Sequence, residues 1–239
     1  MLPLFTANIL TLFPDMFPGM LGQSLAGKGL KNGLWALKTL DIRDFSDNKH
    51  RNVDDTPAGG GPGMVMRADI LAKAIDASQA DIGTEKPVVY MSPRGKRFDQ
   101  KMAERWLGQG GVTILCGRFE GVDERVLQAR EIEEVSLGDF ILSGGEPAAQ
   151  AMLDSVIRLI PGVMGKISTL DEESFSAGLL EYPQYTRPAV WEGREIPEVL
   201  TSGNHKRVAQ WRLEQSEEMT RLRRPDLWST YEQAKLNKD

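Results

Sequence analysis

The 239-residue sequence is poor in the groups that staple small folds together: it has one cysteine, Cys116, and two histidines, His50 and His205. A lone thiol excludes an intramolecular disulfide framework, and no Cys/His cluster has the spacing of zinc ligands. No run approaches about 18 consecutive apolar residues. Met1-Leu2-Pro3-Leu4-Phe5-Thr6 lacks the basic region of a secretory leader, so neither export nor membrane spanning is expected, and the expected location is the cytoplasm. Excess positive charge is missing too: 29 Lys+Arg stand against 34 Asp+Glu, a formal net charge of −5. That total argues against a domain that is basic throughout, the usual footprint of a polyanion binder.

The charge is unevenly spread. Residues 131–199 hold four basic and thirteen acidic groups, whereas residues 200–239 hold eight basic and six acidic. A negative total therefore hides a basic C-terminal segment. The length allows one large domain or a main domain with a small appendage, and it buries enough surface to need no staple.

Short apolar runs rich in β-formers recur between turn signals: Ala7 to Leu12, Leu34 to Leu40, Pro87 to Met91 and Val112 to Cys116. Each predicts a strand. Arg67 to Ala80 and Phe98 to Leu107 have helical periodicity, and a third helix opens at Glu146-Pro147 and stops at Pro161-Gly162. Strands alternating with helices predict an α/β fold on a parallel sheet. From Asn204, a plain N-cap residue, Val208, Trp211, Gln215, Met219 and Leu222 follow at three- and four-residue steps up to Pro225, and Pro225 to Lys235 predicts one more short helix. The tail reads as a small helical domain carrying Arg207, Arg212, Arg221, Arg223 and Arg224.

Three glycine-rich stretches stand out: Gly59-Gly60-Gly61-Pro62-Gly63-Met64, Cys116 to Gly121, and Leu137 to Glu146. None fits the phosphate-loop or dinucleotide fingerprints. A single such stretch is as readily a tight turn; three in one chain favour a small-molecule pocket lined by backbone at the C-terminal ends of parallel strands.

These stretches carry a resemblance. Gly59 to Met64, Cys116 to Arg125, Ser136 to Glu146, Asp154-Ser155-Val156 with Arg158, Ile160 to Val163, Tyr185-Thr186-Arg187-Pro188 and Ser202-Gly203-Asn204-His205 occur in order between Ile9 and Pro225. Together they resemble the bacterial tRNA (guanine-N1)-methyltransferases, which are SPOUT methyltransferases. The resemblance implies a SPOUT-type α/β parallel sheet with a C-terminal trefoil knot, an exception to the rule that chains are unknotted, plus a small all-helical C-terminal domain. It implies a catalytic domain over 1–164, a linker over 165–181 carrying a catalytic carboxylate, and a tRNA-binding domain over 182–239. It also implies S-adenosyl-L-methionine as methyl donor, S-adenosyl-L-homocysteine as product, and a homodimer with active sites at the subunit interface. The methyl acceptor that the resemblance implies is N1 of the guanosine immediately 3′ of the anticodon, tRNA position thirty-seven. A requirement for Mg2+ is not readable from the sequence.

Carried onto this chain, the cofactor residues are Tyr90, Met91, Ser92 and Pro93, then Gly117, Phe119 and Glu120, then Leu137, Gly138, Asp139, Phe140, Ile141, Leu142, Gly144 and Gly145. Phe119 and Phe140 stand where the family commonly has Tyr, so stacking roles survive and phenolic ones do not. The chemistry sets its own demands: guanine N1 carries a proton that a general base must take, and charge developing on O6 calls for a cationic donor. The family's base is an Asp before Ser-Phe; this chain has Glu173 before Ser174-Phe175, with Asp171 and Glu172 close enough to compete. Arg158 matches the stabilising Arg. Asp54 with the Gly59 to Met64 loop is expected on the guanine side of the pocket, Ser174 beside it, and His205 and Arg212 on the tRNA surface. A ribose 2′-O-methyltransferase, a non-catalytic RNA-binding module and a protein that only binds the cofactor are the competing readings, the last disfavoured by the basic C-terminal helices. The loop at Gly59 and the linker carboxylate weigh against the first, intact cofactor loops against the second.

Overall fold

A computed structural model describes residues 2–83, 86–164 and 173–236 of the chain. The chain divides into two compact units, Met1–Gly165 and Lys166–Asp239.

The first unit begins with β1 (Phe5–Thr11), α1 (Ser24–Lys31) and β2 (Trp35–Asp41). A two-residue pair, β3 (Asp54–Asp55) and β4 (Val65–Met66), precedes α2 (Ala68–Ile82). Then come β5 (Val88–Arg97), α3 (Gln100–Gly108), β6 (Gly111–Leu115), α4 (Glu124–Ala129), β7 (Glu133–Ser136) and α5 (Glu146–Ile157). Five strands form one sheet in the order β2-β1-β6-β5-β7, and every pairing in it is parallel. The α/β class with a parallel sheet is therefore observed.

The sheet is buried on both faces because β1 alternates. Phe5, Ala7 and Ile9 enter a core with Trp35, Trp106 and the apolar stripe of α5, while Leu10 enters the opposite core with Ile70, Leu71 and Ile75 of α2. Asn8 points to the α2 side, where its amide donates to the Ser78 hydroxyl at 3.0 Å, and Ser78 shares a 2.8 Å hydrogen bond with Thr113. This fully buried polar chain fixes how α2 lies on the sheet.

Two departures from the sequence expectation bear on the site. The strand predicted to end at Met91 runs on to Arg97: Met91 and Lys96 both pair with Val135, so the residues between bulge out of the ladder. Pro93 is tolerated there because it need not donate, and Gly95 is demanded because a Cβ would lie 2.3 Å from the Glu134 backbone. The bulge swings Ser92 and Pro93 toward the ends of the neighbouring strands. Helix α1 was hidden by Gly27 and Gly29, which read as breakers but sit where the chain is crowded, a Cβ on Gly27 meeting the Gly22 carbonyl at 2.1 Å.

Beyond residue 172 the second unit holds β8 (Val190–Trp191), β9 (Arg194–Glu195), α6 (Glu198–Thr201), α7 (His205–Arg223) and α8 (Pro225–Leu236). The expected all-helical tail is corrected here: β8 and β9 pair antiparallel. Their two-residue turn puts Glu192 at φ 48° and Gly193 at φ 75°, the double positive-φ geometry of a tight hairpin. Glu-Gly in place of Asn-Gly is a weak signal for that turn. The predicted caps hold: the Asn204 side chain accepts from the Arg207 N–H, and α7 stops before Pro225. Helix α8 is tied to α7 by Tyr231 donating to Glu217 at 2.9 Å. The N-terminal part of the expected linker, 165–172, including Asp171 and Glu172, lies outside the described residues.

Candidate active site

In the first unit a cleft of about 310 Å³ opens beside the ends of β5, β6 and β7. It is lined by Tyr90 to Pro93, Gly117 to Gly121, Val135 to Gly138, Phe140 to Gly145 and Ala148. Such a crevice forms where successive connections leave the sheet in opposite directions. Here β6 inserts between β1 and β5, and the next strand, β7, lies beyond β5.

Every residue expected to hold the cofactor lines this cleft except Asp139, whose carboxylate is solvent-exposed and pairs with Arg97 at 2.6 Å. The walls are mostly backbone because side chains would not fit. A Cβ on Gly117 would stand 2.5 Å from the Tyr90 ring, and one on Gly138 2.8 Å from the Phe140 ring. Tyr90 is buried, and that burial raises its phenol pKa, with Glu134 adding to the effect and Arg94 opposing it; the group is a neutral donor at physiological pH. Phe119 adopts φ 59°, a conformation an aromatic residue seldom takes without a constraint, and it stands half-exposed at the rim with Phe140, Leu142 and the 80% exposed Ile141. An apolar rim over a glycine-lined floor suits a flat heteroaromatic ring whose polar edge is met by main-chain groups.

The loop from Gly59 to Met64 spans β3 and β4, and its far end reaches the cleft. The Glu120 N–H donates to the Met64 carbonyl at 3.0 Å, and the Met66 N–H donates to the Gly121 carbonyl at 2.9 Å. Gly63, at φ 80°, leaves no room for a Cβ against the Glu120 side chain. Gly59, Gly60 and Gly61 have open space around them, and Pro62 is exposed. Asp54 sits half-buried on β3 opposite Met66 and does not line the cleft. Arg158 is the half-buried residue that ends α5, its N–H donating to the Asp154 carbonyl.

Glu173 and Ser174 belong to the second unit. The Ser176 hydroxyl donates to the Glu173 carbonyl at 2.7 Å, the Ser174 hydroxyl accepts from the Glu181 N–H at 3.0 Å, and Phe175 exchanges main-chain bonds with Leu179 and Gly178. The turn is closed by its own bonds. Glu173 lines a hollow of about 240 Å³ with Leu179, Tyr182, Arg212, Leu213 and Ser216, and the Arg212 guanidinium lies 4.7 Å from the centroid of the Tyr182 ring. The structure thus brings Glu173 and Arg212 to one hollow, which their distance along the chain concealed. His205 is the exposed first residue of α7.

Sequence reading gave Arg118 and Glu146, which lie in the second and third glycine-rich stretches, no role of their own. Glu146 is fully buried at the start of α5, accepts from the Thr11 hydroxyl at 2.7 Å and pairs with Arg118 at 2.8 Å. A glutamate flanked by Gly-Gly and Pro reads as a helix opener, which it also is. Among the described residues no group of three or more His, Cys, Asp or Glu side chains is placed to hold a metal ion, and no helix is long and apolar enough to cross a membrane.

Comparison with known proteins shows the family of the chain. Residues 5–230 match the family model described as tRNA (Guanine-1)-methyltransferase TrmD. A tRNA (guanine-N(1)-)-methyltransferase of Cereibacter sphaeroides is 60% identical over 228 residues, 94% of this chain and 92% of the relative. Proteins of the same description from Mesorhizobium japonicum and a Ruegeria species are 60% and 58% identical, covering 97% and 96% of this chain and 99% and 94% of the relatives.

Proposed function

The chain belongs to the tRNA (guanine-N1)-methyltransferase family and is an enzyme of that activity, and we propose that it methylates N1 of the guanosine immediately 3′ of the anticodon, with the cleft between Tyr90 and Gly145 as its methyl-donor site. The observation that carries the donor assignment is the cleft itself. Glycines 117, 138, 144 and 145 leave no room for a Cβ, and an apolar rim stands over them. These residues fit S-adenosyl-L-methionine, which when bound supplies an electrophilic methyl group on a cationic sulfur. Leu137, Ile141 and Leu142 offer an apolar slot for the adenine, and main-chain groups of Met91 and Gly117 offer its polar edge partners. Glu120 is the carboxylate in reach of the ribose or amino acid end.

Two groups of this chain serve the transfer. Glu173 takes the proton from guanine N1, and Arg158 stabilises the charge that develops on O6. Glutamate has the same acid chemistry as the family's aspartate with one more methylene. Asp54 and the loop from Gly59 to Met64 meet the guanine, which must leave its stack to be read on its Watson–Crick edge. Ser174, His205 and Arg212, with the rest of 182–239, hold the tRNA, the cations through phosphates.

The reading extends to a trefoil knot and a homodimer working in the cytoplasm. In support, the Gly145 N–H donates to the Gly117 carbonyl at 3.1 Å, tying the third glycine stretch to the second. Phe119, Phe140, Ile141 and Leu142 form an exposed apolar rim of the kind a second copy covers.

The test uses radiolabelled S-adenosyl-L-methionine with two unmodified tRNA transcripts that differ only at the guanosine after the anticodon. Label should enter one transcript alone; label in both, or in neither, rejects the reading. Glu173→Gln should bind both ligands and transfer no methyl, whereas near-normal turnover would remove Glu173 as the base.

A further inference from the structure

Arg118 lines the cleft and joins several of the segments around it. Its Nε lies 3.3 Å from Glu146 Oε1, its Nη2 lies 2.8 Å from Glu146 Oε2, and its Nη1 donates to the Ser143 carbonyl at 3.1 Å. The guanidinium stacks 4.4 Å from the centroid of the Phe13 ring and reaches the Met16 sulfur. A Cβ on Gly144 would collide with it at 2.3 Å. Glu146 is in turn fully buried and held by the Thr11 hydroxyl at the end of β1. One planar group therefore fixes the spacing between the loop after β6 and the loop before α5, the two walls of the cleft. A lysine would put one compact ammonium in place of the planar fork whose separate nitrogens meet Glu146, Ser143 and the Phe13 ring.

We propose that Arg118 and Glu146 are positioning residues: their buried ion pair holds the two glycine-rich walls at the separation the methyl donor needs, without touching the reacting atoms. The inference rests on the assignment of this cleft to S-adenosyl-L-methionine. It deepens that assignment by making donor affinity depend on an ion pair set in the wall of the cleft.

The experiment compares the intact protein with Arg118→Lys, Glu146→Gln and the double variant Arg118→Met/Glu146→Gln, measuring the calorimetric dissociation constant for S-adenosyl-L-homocysteine and the thermal midpoint of each. The double variant keeps the volumes and removes both charges, a change that folds tolerate far better than a lone buried charge. Expected is a loss of donor-site affinity of about ten-fold or more in Arg118→Lys and in the double variant, at thermal midpoints close to that of the intact protein. A purely structural role would lower the midpoint and leave the affinity of the folded fraction unchanged. Affinities within about two-fold of the intact protein in both variants overturn the proposal. Failure of the intact protein itself to bind the ligand overturns the donor-site reading, and the proposal with it.

Discussion

Gly117→Ala is the smallest perturbation that tests the cleft. The residue is not in a left-handed conformation, so the added methyl acts by contact alone. It would stand 2.5 Å from Tyr90 Cε2, 2.9 Å from the hydroxyl and 3.1 Å from Cζ. Carbon atoms rest at about 3.5–4.0 Å, so the ring must retreat by roughly 1 Å. Tyr90 is 8% exposed and packed into the core that holds Leu115 and Val126, so its open direction is into the cleft. Overpacking of this kind costs about 1–3 kcal/mol, and at roughly 2–4 °C per kcal/mol for a chain of this size the thermal midpoint should drop by several degrees. The displaced ring also occupies donor space, so affinity for S-adenosyl-L-homocysteine should fall by about ten-fold or more. Gly108→Ala is the matched control: Gly108 is the last residue of α3 with nothing near its missing Cβ, and alanine there should stabilise by about 0.5–1 kcal/mol without touching affinity. Differential scanning fluorimetry and calorimetry read both quantities. Unchanged affinity and midpoint in Gly117→Ala would refute the claim that this glycine exists to admit Tyr90 and a ligand together.

Two further outcomes concern the second unit. Asn204→Ala removes the side-chain cap on the Arg207 N–H and should cost about 1 kcal/mol, seen as earlier loss of helical circular dichroism on heating; an unchanged profile would show that the cap is idle. Asp226 is bonded twice by the Arg224 guanidinium, which lowers its pKa from 3.8 to about 2. A depressed folded-state pKa means the pair's support is complete above the ordinary value and is lost as the pH falls from about 4 to about 2, so a carboxyl resonance titrating near 4 in the intact protein, or unmoved by Arg224→Ala, would contradict it.

Four strands of the sheet were legible because a sheet buried on both faces is made of short, near-continuous apolar runs bounded by turn signals. What escaped was whatever tertiary packing imposes against local preference. The apolar run stops at Met91, yet Pro93 and Gly95 continue β5 through a bulge, with Glu134 crowding the position that only glycine can fill. Strand β7 is Glu-Glu-Val-Ser, an acidic stretch without an apolar pattern, and it forms because Met91 and Arg97 of β5 offer it a ladder. The glycine stretches announced the cleft because backbone-lined walls need glycine wherever the chain passes close to itself. The pairing of Arg118 with Glu146 was silent because a buried ion pair between residues 28 apart leaves no local signature.

The same blindness affects the charge count. Residues 131–199 looked like a reservoir of negative charge, but four of its acids already have partners from the preceding segment. Glu133 pairs with Arg105 at 2.7 Å, Glu134 with Arg94 at 3.0 Å, Asp139 with Arg97 at 2.6 Å and Glu146 with Arg118 at 2.8 Å. These bridges look alike on paper and differ in energy through solvent access. The Arg94, Arg97 and Arg105 side chains are 60%, 66% and 43% exposed, whereas Arg118 is 18% exposed and its partner 0%. Exposed pairs contribute about 0–1 kcal/mol each. Removing one partner of a buried pair costs about 3–5 kcal/mol, because the other charge is left without water or counter-ion. Truncation to alanine at positions 94, 97 and 105 should therefore each shift the thermal midpoint by no more than about 4 °C, and Arg118→Ala should shift it by roughly 6–20 °C. Added salt should narrow the small shifts and leave the large one, since screening acts on charges that solvent ions can approach. Equal shifts at all four positions would mean that burial does not set the worth of these bridges, and the distinction between the arginine in the cleft wall and the three on the surface would fall.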